Sequence, residues 1–252
     1  MKTWIAFQAE QKKHRHRTLF LLPTVFLAFE GMWTFWNLKP ESAMDTAQGY
    51  LSGFYLLPML HSLLYPIFLA VLANRLCDME IKGDTRKLLY TLEKKKQFYN
   101  CKYIMALPYI AITAVGATLI LWVAGLFYHF TDGFQWHMAL QLTLSTCFVS
   151  ATLFSIQQTL SLLSSNQILP LIVGLAGSFL SLFSLFFPPA AARLILWGYY
   201  GIFGFIQMDW EKSTRICTYY EQPFDWSGFL FFIIFSIAVF FFCRAISLRK
   251  DV

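Results

Sequence analysis

Six runs of about 20 apolar residues, each closed off by charged or turn-forming stretches, constrain this chain more than anything else in it. They are Thr18–Leu38, Tyr50–Asn74, Tyr103–Tyr128, Met138–Leu162, Ile168–Phe187 and Trp226–Ile246. A helical run of that length matches the thickness of the bilayer hydrocarbon, and a helix satisfies its own backbone in lipid. Composition argues the same way. With 57% of 252 residues hydrophobic and 13% charged, there is too little polar side chain to clothe a soluble core. The expected fold is an all-α membrane protein with six transmembrane helices. A seventh apolar run, Leu194–Phe205, is too short and glycine-rich to cross, and it follows Phe187-Pro188-Pro189, which ends the helix before it.

Charge sets the orientation. With the N-terminus inside, the first 17 residues bring five Lys/Arg, the 75–102 loop eight, and the tail three (Arg244, Arg249, Lys250). Only Lys39, Arg193, Lys212 and Arg215 then lie outside, where Glu41, Asp45, Asp132, Asp209, Glu211, Glu221 and Asp225 also fall. This asymmetry puts both termini in the cytoplasm. A spanning Leu194–Phe205 would reverse it for the tail. Residues 188–225 are therefore expected to be external and partly re-entrant, with Leu194–Phe205 dipping into the outer leaflet against protein. Residues 1–17 place Trp4, Ile5 and Phe7 ahead of Lys12, Lys13, Arg15 and Arg17. This suits an amphipathic helix on the inner membrane face, retained because no cleavage site follows; a solvated basic tail is the alternative. Residues 18–252 read as one transmembrane domain.

Motifs for chemistry are lacking. There is no GxxxxGK[ST] phosphate loop, no HExxH, no GxSxG and no cysteine–histidine spacing for zinc. The chain is expected to hold no ATP, cofactor or metal and to bind no nucleic acid. Its polar interest lies in the 75–102 loop. Asp78 and Glu80 precede Gly83-Asp84-Thr85, and Asp84 can cap a helix starting near Thr85. Leu88, Leu89 and Leu92 would give that helix an apolar edge, with Arg86, Lys87 and Lys94–Lys96 as its polar residues. Such a transverse helix suits a groove on a soluble partner; a charged loop lying on anionic lipid is the alternative.

Glu30 and His61 are the other unusual residues. Counting 1.5 Å per residue, Glu30 lies about 18 Å from the inner end of its run and His61 about 16 Å from the outer end of its own. Both reach mid-membrane, where an ionisable group costs about 2.5–3.5 kcal/mol. They can pair, either to order the helices or to line a path; Glu30 can otherwise snorkel outward. Trp33, Trp36 and Trp197 belong to an outer aromatic belt or to a surface for an amphipathic peptide or lipid. Gln157 and Gln158 are suited to interhelical hydrogen bonds.

The stretch from the second run through the loop, LLPMLHSLLYPIFLAVLANRLCDMEIKGDTRKLLYTLEKKKQFYNCKYI, carries Asp78, Glu80, Gly83, Leu88, Leu89, Tyr99 and Lys102 in order. With Phe7-Gln8-Ala9-Glu10-Gln11-Lys12 at the start and Leu196-Trp197-Gly198-Tyr199-Tyr200 before the last run, it resembles the ABC-2 type permeases of lantibiotic and bacitracin immunity and resistance exporters. Thr91-Leu92-Glu93 departs from it where many members have a proline. The resemblance implies a bacterial plasma-membrane permease with no ATP site. It would work with two copies of an ABC ATPase carrying the ATP and Mg, and with a second, identical or related permease. Asp78, Glu80, Gly83, Asp84, Arg86, Leu88, Leu89 and Leu92 would seat the ATPase, and the cargo would be an amphipathic antimicrobial peptide taken from the membrane. A non-transporting sensor or assembly protein, or an intramembrane enzyme using Glu30 and His61, are the other readings.

Overall fold

The computed structural model describes residues 8, 10–12, 18–82, 94–164, 166–213 and 216–249, with backbone alone for 79–82. A helix occupies each of the six apolar runs: α1 (Leu21–Asn37), α3 (Gly49–Lys82), α4 (Lys95–Tyr128), α5 (Trp136–Leu163), α6 (Ile168–Ser184) and α9 (Trp226–Arg249). The short helices are α2 (Ala43–Ala47), α7 (Pro189–Ala192) and α8 (Tyr199–Ile202). Among the described residues, four helices are by length and composition long and apolar enough to cross a membrane: Gly49–Asp78 within α3, α4, α5 and α9. The other two, α1 and α6, are 17 residues each, at the lower limit for a span.

Two expectations are corrected. Residues 75–102 are not all loop: α3 runs on to Lys82 and α4 starts at Lys95, so Asp78 and the Glu80 backbone are helical. Hydropathy marks where lipid ends, not where a helix must end. Nothing between Arg75 and Lys82 breaks the i→i−4 ladder, and the first glycine is Gly83. At 34 residues each, α3 and α4 reach about 51 Å and outrun a bilayer core of about 30 Å. Nor is the fold purely α. Residues 206–221 contain an antiparallel hairpin, β1 (Ile206–Trp210) paired with β2 (Cys217–Glu221), in register Ile206↔Glu221 to Trp210↔Cys217. Hydropathy hid two five-residue strands rich in β-prone Ile, Trp, Thr and Tyr. Leu194–Phe205 forms a 3₁₀ turn at Leu196–Gly198 followed by α8, too short to cross.

Helix α3 is the centre of the bundle. It packs on α5, α6 and α4, while α9 leans on α5 and α1 on α4 more than on α3. It carries Pro58 and Pro66 without breaking, as helices supported by neighbours in a membrane can. Its contact with α6 is close: a Cβ on Gly174 would stand 2.5 Å from Ala70 Cβ and 3.0 Å from the Pro66 carbonyl oxygen. Two glutamines lock α5 in place. Gln158 donates to the Tyr99 carbonyl of α4 at 2.9 Å. Gln157, with its amide turned to suit both ends, donates to the Pro170 carbonyl and accepts from the Gly174 amide at 3.0 and 3.3 Å.

Candidate functional site

The outward-facing α1 residues Val25, Phe29 and Met32 are exposed, which fits lipid contact, while Glu30 and Thr34 turn inward. The i, i+4 spacing stacks those two on one face of the helix. On α3, His61 points back at them. Glu30 Oε1 stands 2.8 Å from His61 Nε2, and the other ring nitrogen, Nδ1, stands 3.1 Å from the Thr146 hydroxyl of α5. Glu30 and His61 are fully buried, and Thr146 is 2% exposed. One cluster thus ties three helices together. Tyr65 flanks it, its ring 4.8 Å from that of His61, and Tyr200 of α8 stands 6.3 Å away while bonding Ser150 of α5 at 2.8 Å. Helix counting brought Glu30 and His61 to one depth. Thr146 and Tyr200 were missed, because a threonine in a membrane helix commonly bonds its own backbone and Tyr200 lies in an irregular segment.

A second buried pair lies at the end of the bundle that carries Lys82 and Lys95. Lys102 of α4 is fully buried; its Nζ donates to Glu10 Oε1 and to the Leu76 carbonyl of α3, both at 2.6 Å, and sits 4.8 Å from the centre of the Phe98 ring. A chain segment 92 residues away is thereby pinned to α3 and α4. Beside it, Cys77, Phe98, Tyr99, Leu162 and Cys243 form a small core of their own. Asp78 is half-buried in the last turns of α3. Gly83, Asp84, Arg86, Leu88, Leu89 and Leu92 lie outside the described residues, as do most of residues 1–17.

The opposite end is built by polar caps. The Tyr50 and Leu51 amides of α3 donate to Asp132 Oδ2 at 2.8 and 3.1 Å, so the α4–α5 turn caps α3. Burial pushes the Asp132 pKa above its ordinary 3.8, against the pull of those amides. Asp225 caps α9, accepting from the Gly228 amide and the Ser227 hydroxyl at 2.8 and 2.7 Å. The Gly228 amide, then the hydroxyl, hold its pKa below 3.8. Gln48 Oε1, at the junction of α2 and α3, accepts the Tyr219 amide at 2.9 Å and ties the hairpin to that junction. Between α1, α2 and the hairpin lies an open groove of about 1000 Å³, with Met32, Trp36, Met44, Asp45 and Tyr219 in its wall. Trp33 is 44% and Trp36 82% exposed. Trp197 is set apart from them, wedged over Gly177 of α6, where a Cβ would come within 2.3 Å of its ring nitrogen.

The chemistry of these sites is that of positioning and holding charge. Among the described residues no group of His, Cys, Asp and Glu is arranged to hold a metal ion. No curated protein and no solved structure matches the chain significantly. The model of the family described as "ABC-2 family transporter protein" matches residues 6–181, from the segment holding Glu10 through α6. Members of that family are multi-pass membrane permeases, generally the non-catalytic subunit that associates with an ABC ATPase. With well over half of its length matched, this chain belongs to the ABC-2 transporter family.

Proposed function

We propose that this permease is the membrane subunit of an ATP-driven exporter that removes an antimicrobial peptide of the lantibiotic or bacitracin type from the bacterial plasma membrane. In this reading α1, α3, α4, α5, α6 and α9 all span, both termini are cytoplasmic, and the hairpin and groove face outside. Two ATPase subunits carry the ATP and Mg, and a second permease copy, identical or related, completes the pore. The observation that carries the reading is the pair of long helices α3 and α4. They project past the bilayer and bracket residues 83–93, the stretch with Leu88, Leu89 and Leu92 among basic residues. Asp78, Glu80, Gly83, Asp84 and Arg86 complete this docking surface. Motion imposed there reaches both helices and, through Lys102 and Glu10, the N-terminal segment. Trp33 and Trp36 beside the groove offer the cargo an aromatic edge at the outer rim.

The enzyme alternative has His61 placed between Thr146 and Glu30, an arrangement in which a base contacts a hydroxyl and an orienting carboxylate. Against it, Thr146 is buried and lines neither the groove nor the small cavity between α1 and α3. The test is a pull-down of tagged protein in mild detergent from its own membrane, comparing wild type with Leu88→Asp/Leu89→Asp. Recovery of an ABC ATPase with wild type, lost in the variant, is the expected result. An ATPase retained by the variant would remove the docking role from residues 83–93, and resistance to the peptide unchanged by deletion of the protein would remove the cargo.

A further inference from the structure

Helices α1 and α3 do not close against each other as α3 and α6 do. Between them lies a cavity of about 10 Å³, close to the least volume that holds one water, with Thr34, Gly53, Leu57 and Leu60 in its wall. Asn37, Leu38 and Leu56 line both this cavity and the outer groove. Following the seam inward gives groove, cavity, Thr34 and then Glu30, one turn further along the same face of α1.

Two polar atoms on that line lack a hydrogen-bond partner among the described residues: Glu30 Oε2 and the Thr34 hydroxyl, both on residues less than a tenth exposed. The pair's other polar atoms are engaged, Glu30 Oε1 on His61 Nε2 and Nδ1 on Thr146. An ionised Glu30 facing a neutral His61 would leave a net negative charge in the bundle core, which costs several kcal/mol. One extra proton on the pair removes that charge.

We propose that Glu30 is a proton-binding site, served by water that enters along the α1–α3 seam from the groove and rests between Thr34 and Glu30 Oε2. A hydronium ion gives its proton to Oε2 and leaves as water, and the reverse step returns it; no other reactant is needed. The other titratable groups near the pair are Tyr65 on α3, Tyr200 on α8 and, beyond them, Cys147 on α5, while α4 faces Tyr65 with Thr113. The groove faces outside only in the orientation proposed above.

Infrared difference spectra of the full-length protein in lipid nanodiscs test this. Nanodiscs expose both faces, so a failure counts against the site and not against the orientation or the exporter reading. As the bath is acidified, a protonated-carboxyl band is expected that is missing from Glu30→Gln and shifts in D2O. If Glu30→Gln does not fold, Glu30→Asp assigns the band by moving it. Thr34→Val, which leaves the pair intact, is expected to slow the deuterium shift on the order of tenfold, the worth of one hydrogen bond. Leu57→Phe, which fills the cavity, acts in the same direction. A band that never appears, or that ignores D2O, overturns the proposal. So does one abolished by Na⁺ or K⁺ at constant pH, which would make this a metal-cation site. An unchanged rate in Thr34→Val overturns the path.

Discussion

Glu30–His61 and Glu10–Lys102 are both buried acid–base pairs, and they are built on opposite principles. Lys102 is saturated: a carboxylate, the Leu76 carbonyl and the Phe98 ring surround its ammonium group. Its partners come from three separate stretches of chain, so the pair acts as a rivet at the end of the bundle. Glu30 keeps one oxygen without a partner among the described residues, and its base is an imidazole that can be charged or neutral. The rivet has every face of its cation engaged, whereas the mid-bundle pair leaves a carboxylate oxygen open. Rigidity at the end of α3 and α4 and an open oxygen in the middle suit the exporter proposed above, in which motion enters at residues 83–93.

The contrast breaks if both pairs respond alike to losing the base. Lys102→Met removes a buried ammonium group from the Glu10 carboxylate and the Leu76 carbonyl, and is expected to cost about 3–5 kcal/mol. Thermal unfolding in detergent, followed by tryptophan fluorescence, reads the loss. The exchange Glu10→Lys/Lys102→Glu should not restore it, because a glutamate at position 102 cannot donate to the Leu76 carbonyl. His61→Leu should cost less, about 1–3 kcal/mol, the cost of leaving one buried acceptor without its hydrogen bond. Equal losses in the two variants would mean that the mid-bundle contact holds its helices no less firmly than the rivet does.

A third variant asks whether the two sides of α3 differ as the pairs do. Gly174→Val drives a side chain into Ala70 and the Pro66 carbonyl, and about 1–3 kcal/mol of overpacking is expected. Thr34→Val at the α1–α3 seam replaces a hydroxyl with no protein partner among the described residues by a methyl and should cost no more than the ~1 kcal/mol of one hydrogen bond to water. A larger loss in Thr34→Val would show the α1 seam to be as tight as the α6 seam.

What could be read in the sequence follows from the range of each interaction. The six helices were legible because apolar length is a local property. Glu30 and His61 could be brought to one depth by counting along two helices. The Glu10–Lys102 pair could not, because Glu10 reads as part of a basic tail and its partner is 92 residues on. The helical shoulders at 75–82 and 95–102 were hidden by their charge, which marks the water boundary but does not stop a helix. The hairpin was hidden for a different reason: its strands are held by pairing with each other, by the amide contact of Gln48 with Tyr219 and by the Tyr219 ring against Tyr55 of α3, none of which hydropathy registers.

The smallest effect sharpens the theme at the end of the bundle opposite the rivet, where two carboxylates do the same job in different surroundings. Asp132 and Asp225 each cap a helix, but burial raises the first above 3.8 and amide donation lowers the second below it. The signs follow from proton uptake. Between 3.8 and its raised pKa, Asp132 binds more proton when folded than unfolded, so its contribution is full below 3.8 and falls away as pH rises through the folded pKa. Asp225 is the reverse: its contribution is present above 3.8 and lost as pH falls through its lowered pKa. Each effect should be smaller than the ~1 kcal/mol of an ordinary cap. Melting temperatures across the acid range, wild type minus Asp132→Asn and wild type minus Asp225→Asn, should therefore slope in opposite directions. Parallel slopes would mean that the α4–α5 turn opens to water at low pH, exposing Asp132 as fully as Asp225 and loosening the cap on α3.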